Sequence, residues 1–280
     1  MQIDRRTFLL TTALTPLCSG WNNGGSLRRA AQYLWAQQAD DGGFHSATYG
    51  LLRSGQSLTP FVLGALLDVP QTFLPASPRA VDRALGFLKK KTNADGALGL
   101  MDESAADYPN YATALAVTAM AKARRNGWER SVAPMVAQLR AQQFRAASGW
   151  RPQDAPYGGW GMGGLLHRPP DAGHVDLSMT RCVLEALKAS GIAASDPVMT
   201  RALVYLKRSQ NPDGGFYFST VNPETNKAGE NDGRFASYGT ATGRRCAGPA
   251  RGGDCQYGQP NREGHEVVEG QPPARPRARI

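Results

Sequence analysis

No apolar run in this chain reaches the roughly 18–20 residues that a membrane-spanning helix needs, so no transmembrane span is expected. Cysteine is scarce. Cys18, Cys182, Cys246 and Cys255 are the four among 280 residues, and Cys182 has no partner in the body of the chain. A disulfide framework is therefore not expected. The chain also lacks Gly-x-x-x-x-Gly-Lys-Ser/Thr, Gly-x-Ser-x-Gly and His-Glu-x-x-His, which removes the commonest phosphate-loop, hydrolase and zinc-protease signatures. Concentrated positive charge is missing too. The net charge is +9, but residues 243–280 supply +3 and residues 1–20 supply +1. The body is only mildly basic, and nucleic acid is not a partner it suggests.

Hydrophobic residues make up 41% of the chain, enough for a real core. The first twenty residues read as an export signal. Arg5 and Arg6 precede the apolar stretch Phe8 to Leu17, as in a twin-arginine signal. Asp4 and Leu10 depart from that pattern, and an ordinary secretory signal is the alternative. Both place the mature protein outside the cytoplasm, periplasmic or extracellular. Cys18 follows Leu17, whereas a lipidated cysteine normally follows a small residue, so a lipoprotein is not expected.

The body, residues 21–242, is repetitive. Four segments share one plan: an amphipathic helix, a glycine-rich aromatic turn, then a more uniformly apolar helix. The first helices are expected at Leu27–Gln38, Val81–Lys91, Val132–Gln143 and Val198–Gln210. Their late leucines, Leu34, Leu88, Leu139 and Leu206, recur at intervals of 54, 51 and 67. Leu27, Ala31, Leu34 and Trp35 follow the spacing of one buried stripe, as do Met199, Ala202, Leu203 and Leu206. Turns follow at Asp40-Asp41-Gly42-Gly43-Phe44, Asp95-Gly96, Gly158-Gly159-Trp160-Gly161 and Asp213-Gly214-Gly215-Phe216, where Asp and Gly accept the left-handed backbone that closes a helix. The second helices align on Thr59, Thr113 and Thr180, each seven residues before Leu66, Met120 or Leu187. Between Tyr111 and Met120 only Thr113 and Thr118 are polar. A helix apolar on nearly every side must be enclosed by others, so the second helices should lie inside and the first helices outside.

Tyr33-Leu34, Gln38 and Gly43-Phe44 resemble the Gln/Trp-type repeat of squalene cyclases, and so do Tyr205-Leu206, Gln210 and Gly215-Phe216. The resemblance is to the prenyltransferase/squalene oxidase repeat family, that is, the terpenoid cyclase and protein prenyltransferase superfamily. It implies an all-α fold: a partial α/α toroid of about four helical hairpins with a truncated fifth.

Residues 243–280 break the pattern. They hold no Leu, Met, Phe or Trp and many Gly, Pro and Arg, a composition that reads as disordered. A frameshift explains it more specifically. Read one nucleotide later, the codons after Thr242 admit Asp-Gly-Val-Ala-Arg-Ala-Leu-Leu-Ala-Ala-Gly-Ile-Ala. The segment after Thr180 reads Arg181-Cys182-Val183-Leu184-Glu185-Ala186-Leu187-Lys188-Ala189-Ser190-Gly191-Ile192-Ala193. Further on, the shifted frame forces Lys or Arg at the positions aligned with Arg201 and Lys207.

Candidate chemistry is sparse. Triterpene cyclases protonate their substrate with an Asp in an Asp-x-Asp-Asp motif. Asp40-Asp41 follow Gln38-Ala39, so the first acid is missing and a structural turn is the expected role. Asp95 and Asp213 read the same way. Prenyltransferases hold zinc with Asp, Cys and His. His174, Asp176 and Cys182 are the available set, but six residues put Asp176 and Cys182 on different faces of a helix. His45 and His167 stand isolated in loops. No metal, no cofactor and no catalytic residue is assigned. The segment Pro156 to Gly164 is either a loop at the ring mouth, with Tyr157 and Trp160 on a ligand, or a packed turn. Tyr157, Trp160 and Tyr238 are the ligand-contact candidates. The insertion Val221–Arg234 reads as a solvated loop, with a polar lid or cation loop as the alternative. The leading functional expectation is a non-catalytic exported repeat protein, holding a protein partner or an apolar, isoprenoid-like ligand on its concave face. An isoprenoid-processing enzyme is the alternative, and peripheral membrane contact stays open.

Overall fold

Among the described residues the apolar periodicity becomes seven α-helices. In the computed structural model they are α1 (Trp21–Ala36), α2 (Leu58–Leu67), α3 (Pro78–Lys91), α4 (Pro109–Ala123), α5 (Trp128–Ala141), α6 (Leu177–Ala189) and α7 (Pro197–Arg208). Short 3-10 turns lie at Gly50–Ser54, Ala146–Ser148 and Pro223–Thr225, and β1 (Glu230–Asn231) pairs antiparallel with β2 (Arg234–Phe235). The structure describes residues 21–99, 108–231, 233–239 and 241–242. All belong to one unit, Met1–Gly248. The expected export signal, the expected frameshifted tail and the second unit, Pro249–Ile280, lie outside the described residues. Among the described residues the fold is all-α apart from the two-residue hairpin, and no helix is long and apolar enough to cross a membrane.

The helices form two rows. α2 packs on α4 and α4 on α6, making an inner row. α1, α3, α5 and α7 back it from outside. The centre of the inner row is the most enclosed: Ala112, Thr113, Ala114, Ala116, Val117, Ala119 and Met120 of α4 are all at most 2% exposed. Its alanines keep the helix thin, which lets neighbours on both sides approach. Each Leu, Val or Met buried here contributes about 1.5–3 kcal/mol.

The outer helices are amphipathic, as their sequence requires. In α3, Val81, Ala84, Leu85, Phe87 and Leu88 are buried, while Asp82, Arg83 and the three terminal lysines face solvent. Pro78 and Pro197 open α3 and α7, where a fixed φ and a missing N–H cost nothing. Asp196 caps α7 by accepting the Val198 N–H at 2.9 Å. The starts of the first helices differ from expectation. They lie at Trp21, Pro78, Trp128 and Pro197, one to six residues earlier, because a polar first turn such as Glu129-Arg130-Ser131 carries no apolar period. Two stripes are also rotated. Leu27 and Leu203 are 38% and 47% exposed. In α7 the buried line is Val198, Ala202 and Tyr205, with the tyrosine ring supplying the apolar area assigned to Leu203.

One hydrogen bond recurs in every repeat. The backbone N–H at the end of each glycine turn donates to Oγ1 of the threonine that begins the next inner segment. The pairs are Phe44 to Thr59 (2.9 Å), Leu98 to Thr113 (2.9 Å), Trp160 to Thr180 (3.2 Å) and Phe216 to Thr242 (3.0 Å). Thr59, Thr113 and Thr180 are at most 1% exposed. A buried N–H deprived of its acceptor costs about 1–3 kcal/mol. Thr113→Val keeps shape and removes the acceptor, so it should lower the urea-unfolding free energy by about that amount. Thr113→Ser, which retains the hydroxyl, should lose clearly less. Equal losses in the two variants would show that the hydroxyl is not what holds the turn.

Candidate functional site

The inserted loops of the third and fourth repeats meet at the N-terminus of α6. Asp176 is the N-cap of that helix. Its Oδ1 accepts the Met179 N–H at 2.7 Å, and its Oδ2 faces His174 Nε2 at 2.6 Å. Asp176 is 5% exposed, a buried carboxylate satisfied by a helix N-terminus and an imidazole. The hydrogen bond to Asp176 raises the His174 pKa above its ordinary value, against the opposing effect of burial, and the charges of Asp176 and Glu224 add to the rise. The surrounding backbone is tied down as well. Val175 N–H donates to Asn222 Oδ1 at 3.0 Å, and Leu177 N–H donates to Phe218 O at 2.9 Å. Tyr205, from α7, is wholly buried beside this cluster, and burial pushes its hydroxyl pKa up.

The three ligand-contact candidates do not converge. Trp160 is 0% exposed in the main core, and its Nε1–H donates to Leu139 O at 2.7 Å. It therefore offers a ligand no surface in this conformation. The loop around it is packed: Asn110 Nδ2 donates to Gly161 O at 2.9 Å, and the Asn110 N–H donates to Met162 O at 2.9 Å. Tyr157 and Tyr238 are half-buried on the margin of a second cluster that contains Phe144, Trp150, Leu177 and Tyr205. The structure brings those two to one apolar patch and puts Trp160 in another.

The other candidates are structural. Asp41 Oδ1 accepts the Gly43 N–H at 2.9 Å, and Asp213 Oδ1 accepts the Gly215 N–H at 2.8 Å, the side-chain-to-backbone bond of a tight turn. His45 and His167 are not isolated: they pair with Asp41 (3.1 Å) and Asp171 (3.5 Å). Cys182 is buried, and desolvation pushes its thiol up to about 12, far from a ready nucleophile or metal ligand. Among the described residues no three His, Cys, Asp or Glu side chains gather as a metal site. The insertion Val221–Arg234 is largely exposed, as a solvated loop should be, but it is anchored at one residue. Asn226 is 7% exposed, and its Oδ1 accepts the Phe218 and Ser219 N–H groups at 2.8 and 3.0 Å. Beside it, Arg208, Gln210, Asn211, Tyr217, Gly233, Arg234 and Phe235 line a cavity of about 280 Å³.

Sequence reasoning named His174 and Asp176 only as members of a zinc set and did not foresee their pairing with each other. It sought adjacent acids or a zinc triad, whereas His174-Val175-Asp176-Leu177 keeps only the middle acid of an Asp-x-Asp-Asp spacing. The available signal was position, since the pair immediately precedes the aligned threonine, Thr180.

No family model matches the chain. Over 196 residues, 70% of its length, the chain is 29% identical to a drimenyl diphosphate synthase of Streptantibioticus cattleyicolor. It spans about a third of the length of that enzyme (33%). The similarity and the helical architecture are consistent with a terpenoid-cyclase-like fold.

The raised His174 pKa has a pH signature. A raised histidine contributes stability that is fully present below its unfolded value, near 6.5, and that fades as pH climbs through the folded value. The stability advantage of the native chain over His174→Gln should therefore be largest in mild acid and shrink toward pH 9. It can be followed by urea unfolding at several pH values. An advantage that does not change with pH would mean that His174 and Asp176 do not share a charge.

Proposed function

We propose that this chain is an exported, terpenoid-cyclase-like helical repeat protein that binds an isoprenoid-type apolar ligand without converting it. The similarity to drimenyl diphosphate synthase over 70% of the chain carries the reading. The two-row arrangement supports it, because enclosed apolar inner helices backed by amphipathic outer ones are what the prenyltransferase and squalene-cyclase superfamily implies. Binding is favoured over conversion by Asp176. An acid that protonates an alkene must carry a proton and be free to release it. Both Asp176 oxygens are engaged, one by a helix N–H and one by a histidine with a raised pKa.

A second reading, catalysis, has one observation in its favour. Asp176 is a buried carboxyl at the N-terminus of an inner helix, with a histidine that could relay a proton.

Titration of the purified chain with a prenyl diphosphate and with the matching prenyl alcohol, read by calorimetry and by gas chromatography of the extract, separates these readings. Saturable binding with unchanged ligand is the expected result. A new hydrocarbon or cyclised product that disappears in Asp176→Asn, which preserves the helix cap, would establish the enzyme instead. Failure to bind either compound would sink both readings.

A further inference from the structure

Beyond the threonine bond, the turns make a second set of contacts, aimed at the outer helix of the next repeat. Gln38 Nε2 donates to Gly42 O in its own turn (3.0 Å) and to Ala80 O in α3 (2.9 Å). Gln143 Nε2 donates to Gly158 O (3.0 Å) and to Val198 O in α7 (2.9 Å). Gly42, Gly96 and Gly158 all have φ near +90°, and a methyl group on any of them would collide with a carbonyl of the next outer helix: Arg83, Pro134 or Arg201. The spacing is constant. Ala80 lies three residues before Arg83, and Val198 three before Arg201. Both arginines return a bond to the turn, Arg83 to Ala39 O and Arg201 Nε to Gln143 Oε1 at 2.8 Å. The second turn has Thr92 in place of the glutamine but keeps the glycine contact.

The fourth turn carries the same equipment. Gln210 Nε2 donates to Gly214 O at 3.0 Å, Gly214 has φ +81°, and Thr242 holds the turn. Yet among the described residues Gln210 makes no second bond of this kind, and nothing lies within 4 Å of the place where a Gly214 Cβ would stand. At the adjacent Gly215 the seat is taken by this chain, with Ser237 Cβ 2.5 Å from the corresponding position.

We infer that the fourth turn is a receiving site for a fifth outer helix, and that the helix it fits is encoded in this chain's own message one nucleotide out of frame. The holding threonines Thr180 and Thr242 are 62 residues apart. Carrying α7 forward by that interval places the missing helix on codons 259–270. Shifted by one nucleotide, codon 258 admits Asp, the counterpart of the cap Asp196. Codons 263, 266 and 269 force Lys or Arg, which places a cation where Arg201 bonds the third turn. Codon 264 admits Ala, as at the buried Ala202. Codons 267 and 268 admit only Leu, Trp or Ser among amino acids, where α7 has Tyr205 and Leu206. With Ala at 264 and Leu or Trp at 267 and 268, the segment would carry apolar residues at i, i+3 and i+4 with forced cations between and beside them, the pattern of an amphipathic outer helix.

The test compares two full-length proteins: the chain as written, and the product of the same gene with one nucleotide deleted at codon 243. In the chain as written, Gly214→Asn should be nearly silent in thermal melting, because Asn accepts the left-handed backbone and meets no neighbour. In the frame-restored protein the same change should lower the midpoint by about 5 °C or more, as Gly158→Asn should in both proteins. Gln210→Ala should follow the same pattern. A synthetic helix with the shifted-frame sequence of codons 258–272 should bind the chain as written and lose binding on Gly214→Asn. Equal effects of Gly214→Asn in both proteins, a frame-restored protein less stable than the chain as written, or a helix that binds the variant equally well would each overturn the inference.

Discussion

The bond between a turn N–H and an inner-helix threonine holds the two rows together. A turn can pivot on its glycines, but a buried N–H has to be paired, and here its acceptor sits on the inner helix. Threonine suits the role because branching at Cβ restricts χ1, so the hydroxyl points where the turn needs it. Once the turn is pinned to the inner helix, the outer helix that ends in that turn is placed as well. Packing then follows: outer stripes such as Val81, Ala84, Leu85 and Leu88 meet the apolar flanks of α2 and α4.

The same bond explains why the insertions do not disturb the rows. The turn and its threonine are 15 residues apart in the first two repeats, 20 in the third and 26 in the fourth. Loop-closure entropy grows only with the logarithm of length, so extra residues between two fixed points cost little. They gather instead at one end of α6, where the third insertion meets the fourth. His174, Asp176, Asn222 and Asn226 are all supplied by these insertions. Most of their polar atoms are spent on one another or on backbone. Asn222 serves Val175, and Asn226 serves Phe218 and Ser219. The densest polar chemistry in the described structure is therefore chiefly a docking device between neighbouring loops.

The fold was legible where residues obey a period. Thr59, Thr113 and Thr180 stand out because each precedes a buried Leu or Met by the same interval, and Thr242, 62 residues after Thr180, continues the series. The stripe in α7 was harder to read, because Tyr205 buries a ring in a place where a leucine was expected. The loop from Pro156 to Gly164 had two readings, since glycine density has two causes. Here it reflects close approach: Gly158 passes the Arg201 carbonyl, and a Cβ on Gly159 would stand 2.9 Å from the Tyr205 ring. Neither partner is near in sequence. Asp176 was obscure for a related reason. A helix cap leaves no mark of its own in a string of letters, and the Met179 N–H that Asp176 accepts is visible only in the fold.

A row of hairpins distributes burial unevenly, and this bears on function. In a stacked array each unit is covered only by its neighbours. α4, with an inner neighbour on either side, is almost wholly enclosed, whereas α1 and α2 at the first end of the row leave Tyr33 65% and Phe61 54% exposed. At the fourth end none of the described residues lies within 4 Å of where a Gly214 Cβ would stand. These are two effects of one cause, the absence of a covering helix among the described residues. Exposed aromatics at one end need not mark a ligand site, nor a glutamine with one bond at the other a polar pocket. Binding chemistry is better sought where neighbours on both sides exist and the side chains still turn outward. By that standard Tyr157, half-buried on the margin of the Tyr205 cluster, is a stronger position than any residue at either end of the row.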